Sequence, residues 1–178
     1  MKTITKNRDI KTLVEAKNDM RYSFDYLIAK NNLKMQNQTL YKIDLTNTKS
    51  KHIKHLNFDL KNKFFVKLER ENPTEILDYL FVIEYDGIIS IGNQQIDEVD
   101  FCKVHSHIIV NTSLPIDVLI NQLIKTFLVS TFEIDHRSKN CDVYIENISK
   151  RIDKENYINY LTKQNYLNEN AYYYKIKF

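Results

Sequence analysis

The sequence predicts an α+β fold, with a central antiparallel sheet and helices flanking it. Three observations carry that reading. Short runs rich in Val, Ile, Phe and Tyr recur along the chain, above all Tyr79–Tyr85 and Val104–Val110. Stretches with apolar residues at helical spacing stand before, between and after them. The breaks between neighbouring runs are short, which favours antiparallel pairing over long crossovers.

In chain order, residues 8–30 read as a helix. Leu13, Met20, Phe24, Leu27 and Ile28 recur at helical spacing among Arg, Lys and Asp, and Asn31-Asn32 closes it. Residues 40–60 mix polar and apolar positions and contain the basic stretch Lys49–His55, a solvated surface or a phosphate contact. Phe64-Phe65-Val66-Lys67-Leu68 is a strand candidate. Asn72-Pro73-Thr74 breaks it and starts a short helix through Asp78. Tyr79–Tyr85 is a strong strand stopped by Asp86-Gly87, and Ile88–Ile96 a further short one. The acidic patch Asp97-Glu98-Val99-Asp100 then leads into the strand bearing His105 and His107.

Leu114-Pro115-Ile116-Asp117 opens a helix to about Phe127, with Ile116, Leu119, Ile120, Leu123 and Ile124 as its apolar stripe. Phe132–Asp135 and Val143–Ile148 read as strands. Asp153 is the expected N-cap of a helix over 154–164. The tail Tyr172–Phe178 alternates and adds an edge strand. The helices are expected to cover one face of the sheet.

Bulk properties narrow the classes. With 178 residues, 43% of them hydrophobic, the chain is long enough for one domain with its own core. Two Gly and two Pro leave little room for flexible linkers. A net charge of +3 permits a nucleic-acid partner without requiring one. Cys102 and Cys141 are the only cysteines and there is no CxxC, which excludes a disulfide scaffold and a zinc ribbon and points to a reducing compartment. The first residues lack the apolar centre of a signal peptide, and no apolar run reaches membrane-spanning length. The expectation is a cytoplasmic protein with no membrane partner.

Two motifs carry chemistry. In Val104-His105-Ser106-His107-Ile108-Ile109-Val110, strand alternation sends His105, His107 and Ile109 to one face, with the histidines roughly 7 Å apart along it. Val104, Ser106, Ile108 and Val110 face the core, which leaves the imidazoles on the open side of the sheet. Two neutral imidazoles so placed can hold one divalent metal. A third, oxygen ligand would come from Glu84 on the strong strand, or from Asp97 or Glu98 folded back by a hairpin. The second motif is Tyr160-Leu161-Thr162-Lys163. Tyr160 and Lys163 share a helix face, with Tyr157 one turn earlier. A phenol with a pKa near 10 is a weak nucleophile at neutral pH, and a cation beside it and a metal on the target phosphate would compensate. The plain alternative is that Tyr157 and Tyr160 pack in the core and Lys163 is solvated.

With both motifs in view, the sequence resembles the HUH endonuclease superfamily of rolling-circle replication initiators and conjugative relaxases. His105-Ser106-His107-Ile108-Ile109-Val110 fits the His-hydrophobic-His signature, with Ser106 in place of the middle hydrophobic residue. Tyr160-Leu161-Thr162-Lys163 matches the YxxK signature, and the strand Val143–Ile148 leads into it. Phe64–Leu68 is similar to the first, structural motif of such initiators. The resemblance spans about residues 63–164 and leaves residues 1–60 as an N-terminal helical extension of a single domain.

The resemblance implies a palm-like antiparallel sheet, usually of five strands, and a Mg²⁺ or Mn²⁺ ion held by His105, His107 and a carboxylate. It implies Tyr160 as the one nucleophile, aided by Lys163, nicking and rejoining single-stranded or hairpin origin DNA through a 5′-phosphotyrosine link. No P-loop motif is present, so strand separation would fall to a separate host helicase. A transposase of the same superfamily and a non-catalytic nucleic-acid-binding module are the alternatives.

Overall fold

Among the described residues, seven strands form one sheet in the order β1-β7-β3-β4-β2-β6-β5. The structure is a computed structural model. It describes residues 3–5, 12–33, 37–46, 48, 50, 52–86, 103–134, 142–149, 154–161 and 171–177. The strands are β1 (Thr3–Thr5), β2 (Thr39–Leu45), β3 (Leu77–Asp86), β4 (Lys103–Thr112), β5 (Phe132–Ile134), β6 (Val143–Asn147) and β7 (Tyr172–Lys177). The helices are α1 (Leu13–Asn32), α2 (Ile53–Phe58), α3 (Val66–Glu71), α4 (Ile116–Phe127) and α5 (Lys154–Leu161), with a π-helical stretch, Asp59–Phe65, joining α2 to α3. Among the described residues the five central strands are antiparallel, β1 and β5 are three-residue edges, and only the β5–β6 pair is parallel. The predicted α+β class, a mostly antiparallel sheet with flanking helices, is therefore observed.

Helices pack on both faces, not one. The first face carries Ile43, Leu45, Tyr79, Phe81, Ile83, Val104, Ile108, Val110, Val143 and Ile145, covered by α4 and the helical run from α2 to α3. The second carries Leu40, Leu80, Val82, Ile109, Tyr172, Tyr174 and Ile176, covered by α1 and α5. Strands β3 and β4 are buried on both sides, and their second face carries the polar Asp78, Glu84, His105, His107 and Asn111 beside Leu80, Val82 and Ile109.

Local chemistry sets several boundaries away from the predicted ones. α1 starts at Leu13 because Thr12 and Glu15 form a capping box. The Thr12 hydroxyl accepts from the Glu15 N–H at 3.1 Å, and the Glu15 carboxylate from the Thr12 N–H at 3.0 Å. Phe64–Leu68 is helical, not a strand. Leu56, Leu60, Phe64 and Leu68 recur every four residues and all are buried, and Phe65 stacks on Tyr79 at 3.6 Å. The π-helical turn before Val66 lets adjacent Phe64 and Phe65 both point inward. Residues 72–76 form no helix, and β3 begins at Leu77. β7 is not an edge strand, since it lies between β1 and β3. On α4, Leu119, Gln122 and Leu123 are buried while Ile124 is exposed. The expected strand Ile88–Ile96 and the expected cap Asp153 lie outside the described residues.

Among the first sixty residues, those of β2 and α1 pack against the later strands. β2 sits between β4 and β6, and α1 roofs the second face. Part-buried polar contacts fasten that roof. Lys30 Nζ lies 2.5 Å from Asp78 Oδ2 and 2.5 Å from the Lys177 carbonyl, and the Lys177 N–H donates to Asp78 Oδ1 at 2.8 Å. The hydroxyls of Tyr172 and Tyr174 both donate to Asp19.

Candidate metal centre

Strand register assembles the site. In the β3–β4 pairing Glu84 stands opposite His105, and in the β2–β4 pairing Asp44 stands opposite His107. All four side chains project from the second face, because each lies an even number of residues from that face's apolar members: Leu80 and Val82 on β3, Ile109 on β4, Leu40 on β2. The same pairings put Ile83, Ser106 and Ile43 on the opposite face, so the core on that face fixes the register that aligns the site.

The ligand atoms converge. His105 Nε2 lies 3.4 Å and His107 Nε2 3.5 Å from the same Glu84 oxygen, Oε2. One donor atom from each of the three residues lies within 4.8 Å of the others, and among the described residues no other group of His, Cys, Asp and Glu does so. These separations suit a metal, since bonds of about 2.1 Å in tetrahedral or octahedral geometry place neighbouring ligand atoms about 3.0–3.4 Å apart. His107 Nε2 is buried and is turned toward the Glu84 carboxylate, on the side of the ring away from Asp44. A buried Glu84-His105-His107 group of this kind can hold a metal ion.

The imidazoles are not on an open face. His105 and His107 are 7% and 6% exposed and Glu84 is 1% exposed. α1 and α5 cover this side, with Met20, Phe24, Leu27, Ile158 and Leu161 packing on Leu80, Val82 and Ile109. The two histidine rings meet edge to face at 5.2 Å.

α5 brings Tyr160 to the same place. Its ring lies 5.1 Å from the His107 ring, edge to face, and is 42% exposed. Tyr157, one turn earlier, is 7% exposed and stacks near-parallel on Tyr160 at 6.4 Å. Of the alternatives for the third ligand, Glu84 joins the histidines, while Asp97 and Glu98 lie outside the described residues. Lys163 lies outside them too.

Two residues that the sequence reading did not single out complete the surroundings. Asp44 Oδ1 lies 2.6 Å from His107 Nδ1, a hydrogen-bond distance. Lys42 Nζ lies 2.7 Å from the other Asp44 oxygen, 5.3 Å over the Tyr157 ring and 5.6 Å over the Tyr144 ring. The signal was present in Tyr41-Lys42-Ile43-Asp44-Leu45, where Lys42 and Asp44 alternate with the buried Ile43 and Leu45, but no charge pattern announces which partner Asp44 meets. Burial works against charge on His107, yet hydrogen bonding to Asp44 and to Glu84, together with the charges of both carboxylates, outweighs it and raises the ring's pKa above 6.5. Burial likewise opposes charge on Asp44, and His107 and Lys42 together hold its pKa below the ordinary carboxylate value.

Fold and site together define an α+β protein with a buried two-histidine, one-carboxylate group able to hold a metal ion and a half-exposed tyrosine beside it. No protein-family model, no curated protein and no solved structure matches the chain. No helix among the described residues is long and apolar enough to cross a membrane.

Proposed function

We propose that the protein is a metal-dependent endonuclease and strand transferase acting on single-stranded DNA, with Tyr160 as nucleophile, in the manner of a rolling-circle replication initiator. The observation that carries the reading is the meeting of a half-exposed phenol with a buried Glu84-His105-His107 group, its ring 5.1 Å from that of His107. A tyrosine merely filling the core would be covered, as Tyr157 is.

The ion is proposed to be Mg²⁺ or Mn²⁺, the two imidazole nitrogens favouring Mn²⁺ of the pair. When bound, it supplies Lewis-acid polarisation of a phosphate oxygen. The residues do the rest. Glu84 brings a negative charge that offsets the cation, and the histidines bring neutral donors. Tyr160 Oη attacks phosphorus, a Tyr–O–P bond forms and the P–O3′ bond breaks. The phenolic proton is balanced by the one that the departing 3′ oxygen gains. The enzyme keeps the 5′-phosphate as a phosphodiester, so the reverse attack by a 3′-OH rejoins DNA without ATP. Lys163, three residues after Tyr160, is proposed to orient the phosphate or the phenol. A separate helicase is the proposed partner.

The test is covalent capture. Labelled single-stranded DNA from the replicon that carries the gene is incubated with Mn²⁺ and protein, then resolved under denaturing conditions. Wild type is expected to form a protein–DNA adduct and Tyr160→Phe none. Adduct from Tyr160→Phe but not from Tyr157→Phe would move the nucleophile to Tyr157, and no adduct from wild type would remove the proposal.

A further inference from the structure

His107 is held from two sides, and only one of them faces the ligand gap. We propose that Asp44 is a positioning residue for the metal centre, fixing His107 as the Nδ1–H tautomer so that Nε2 presents its lone pair, with Lys42 anchoring Asp44. The inference rests on the metal-centre reading above and adds to it two residues outside the ligand set.

A neutral imidazole carries its proton on one nitrogen or the other, and a ligand nitrogen must be the bare one. An ionised carboxylate can only accept hydrogen bonds. Asp44 Oδ1 is 2.6 Å from His107 Nδ1, whereas Glu84 Oε2 is 3.5 Å from Nε2, so the single proton of the neutral ring goes to the closer carboxylate, on Nδ1, and Nε2 is left bare. Nδ1 and Nε2 point to opposite sides of the ring. Asp44 therefore acts behind His107 and is not a fourth ligand.

Asp44 is itself fixed. The β2–β4 register sets its backbone directly opposite that of His107. Its Oδ2 is held by Lys42 Nζ at 2.7 Å, so the two oxygens have separate partners. Lys42 is confined in turn by the rings of Tyr144 and Tyr157, within 6 Å of each. Lys42 and Asp44 are two residues apart on one strand, so both face the same way, and Lys42 cannot swing out without leaving both rings.

Imidazole nitrogen-15 NMR on the metal-free protein tests this directly, at a pH high enough for the rings to be neutral. The His107 signals are assigned by their loss in His107→Asn. Wild-type His107 is expected to show a proton-bearing Nδ1 and a bare Nε2. Asp44→Ala is expected to move the proton toward Nε2 and to weaken Mn²⁺ binding, measured by calorimetry, by about 10- to 100-fold. Lys42→Met is expected to keep the tautomer and weaken binding less than Asp44→Ala does.

A wild-type His107 carrying its proton on Nε2 would overturn the proposal without any variant, so a poorly folding Asp44→Ala leaves it falsifiable. An unchanged tautomer with binding within twofold in Asp44→Ala would overturn it as well. Either result alongside intact DNA capture removes the role of Asp44 alone. Absence of both Mn²⁺ binding and DNA capture in wild type removes the reading beneath it.

Discussion

Metal binding at Glu84, His105 and His107 should appear first as thermal stability. The three side chains lie on two neighbouring strands inside the sheet, so the ligand set exists only in the folded chain. An ion that binds the native state alone stabilises it by RT ln(1 + [M]/Kd), about 2.7 kcal/mol at a hundredfold excess over Kd. For a chain of this length each kcal/mol moves the melting temperature by about 2–4 °C. Mn²⁺ at that excess should therefore raise Tm by about 5–11 °C, followed by near-UV circular dichroism or calorimetry, and a chelator should reverse it. His105→Ala with His107→Ala removes two of the three donors and should abolish the shift, each variant being compared with its own metal-free Tm. His52 and His55, whose exposed rings lie 5.2 Å apart on α2 and its cap, are the natural control for surface binding. Replacing both with Ala should leave the shift intact. A shift that survives His105→Ala with His107→Ala and vanishes with the surface pair would refute the assignment.

Two further outcomes follow from the structure. Protons compete with the metal for His107, whose pKa is raised in the metal-free fold, so Mn²⁺ affinity measured by calorimetry should begin to fall at a pH above 6.5 as the solution is acidified. In the metal-free protein the sign reverses: stability from the paired His107 is fully present below about 6.5, the unfolded value, and is lost as pH rises through the higher folded one, which urea unfolding at a series of pH values will record. Asp78→Ala strips the buried partner from Lys30 and an acceptor from the Lys177 N–H, at a cost of about 3–5 kcal/mol in urea unfolding, toward the lower end because Lys30 is partly exposed; a loss under about 1 kcal/mol would show that the α1 roof is held by apolar packing alone.

Much of the sheet was legible in the sequence, because β3 and β4 are long and contain the continuous apolar runs Tyr79–Ile83 and Ile108–Val110, whose signal does not depend on alternation. α4 was legible from its periodicity and the Pro115 before it. What misled was local ambiguity. Phe64–Leu68 is a short apolar run of the kind that periodicity cannot divide between strand and helix, and only its continuation of the Leu56-Leu60 spacing shows which it is. β2 was missed because Lys42 and Asp44 interrupt its apolar pattern, and those interruptions are themselves part of the site's surroundings. The histidine pair and Glu84 were readable as candidates from strand alternation. Their meeting, the burial of the imidazoles under α1 and α5, and Asp44 were not, since each depends on which strands pair and in what register.

That dependence constrains how the gene can change. Point substitutions among Ile43, Ile83, Ile108 and their neighbours that keep the volume of the far side leave the ligands where they are. Adding or removing one codon within β2, β3 or β4 would turn every later side chain of that strand to the other surface, and the donor set would be broken even where the polypeptide still folded. Length variation in descendants of this protein should therefore collect in the connections and spare these three strands.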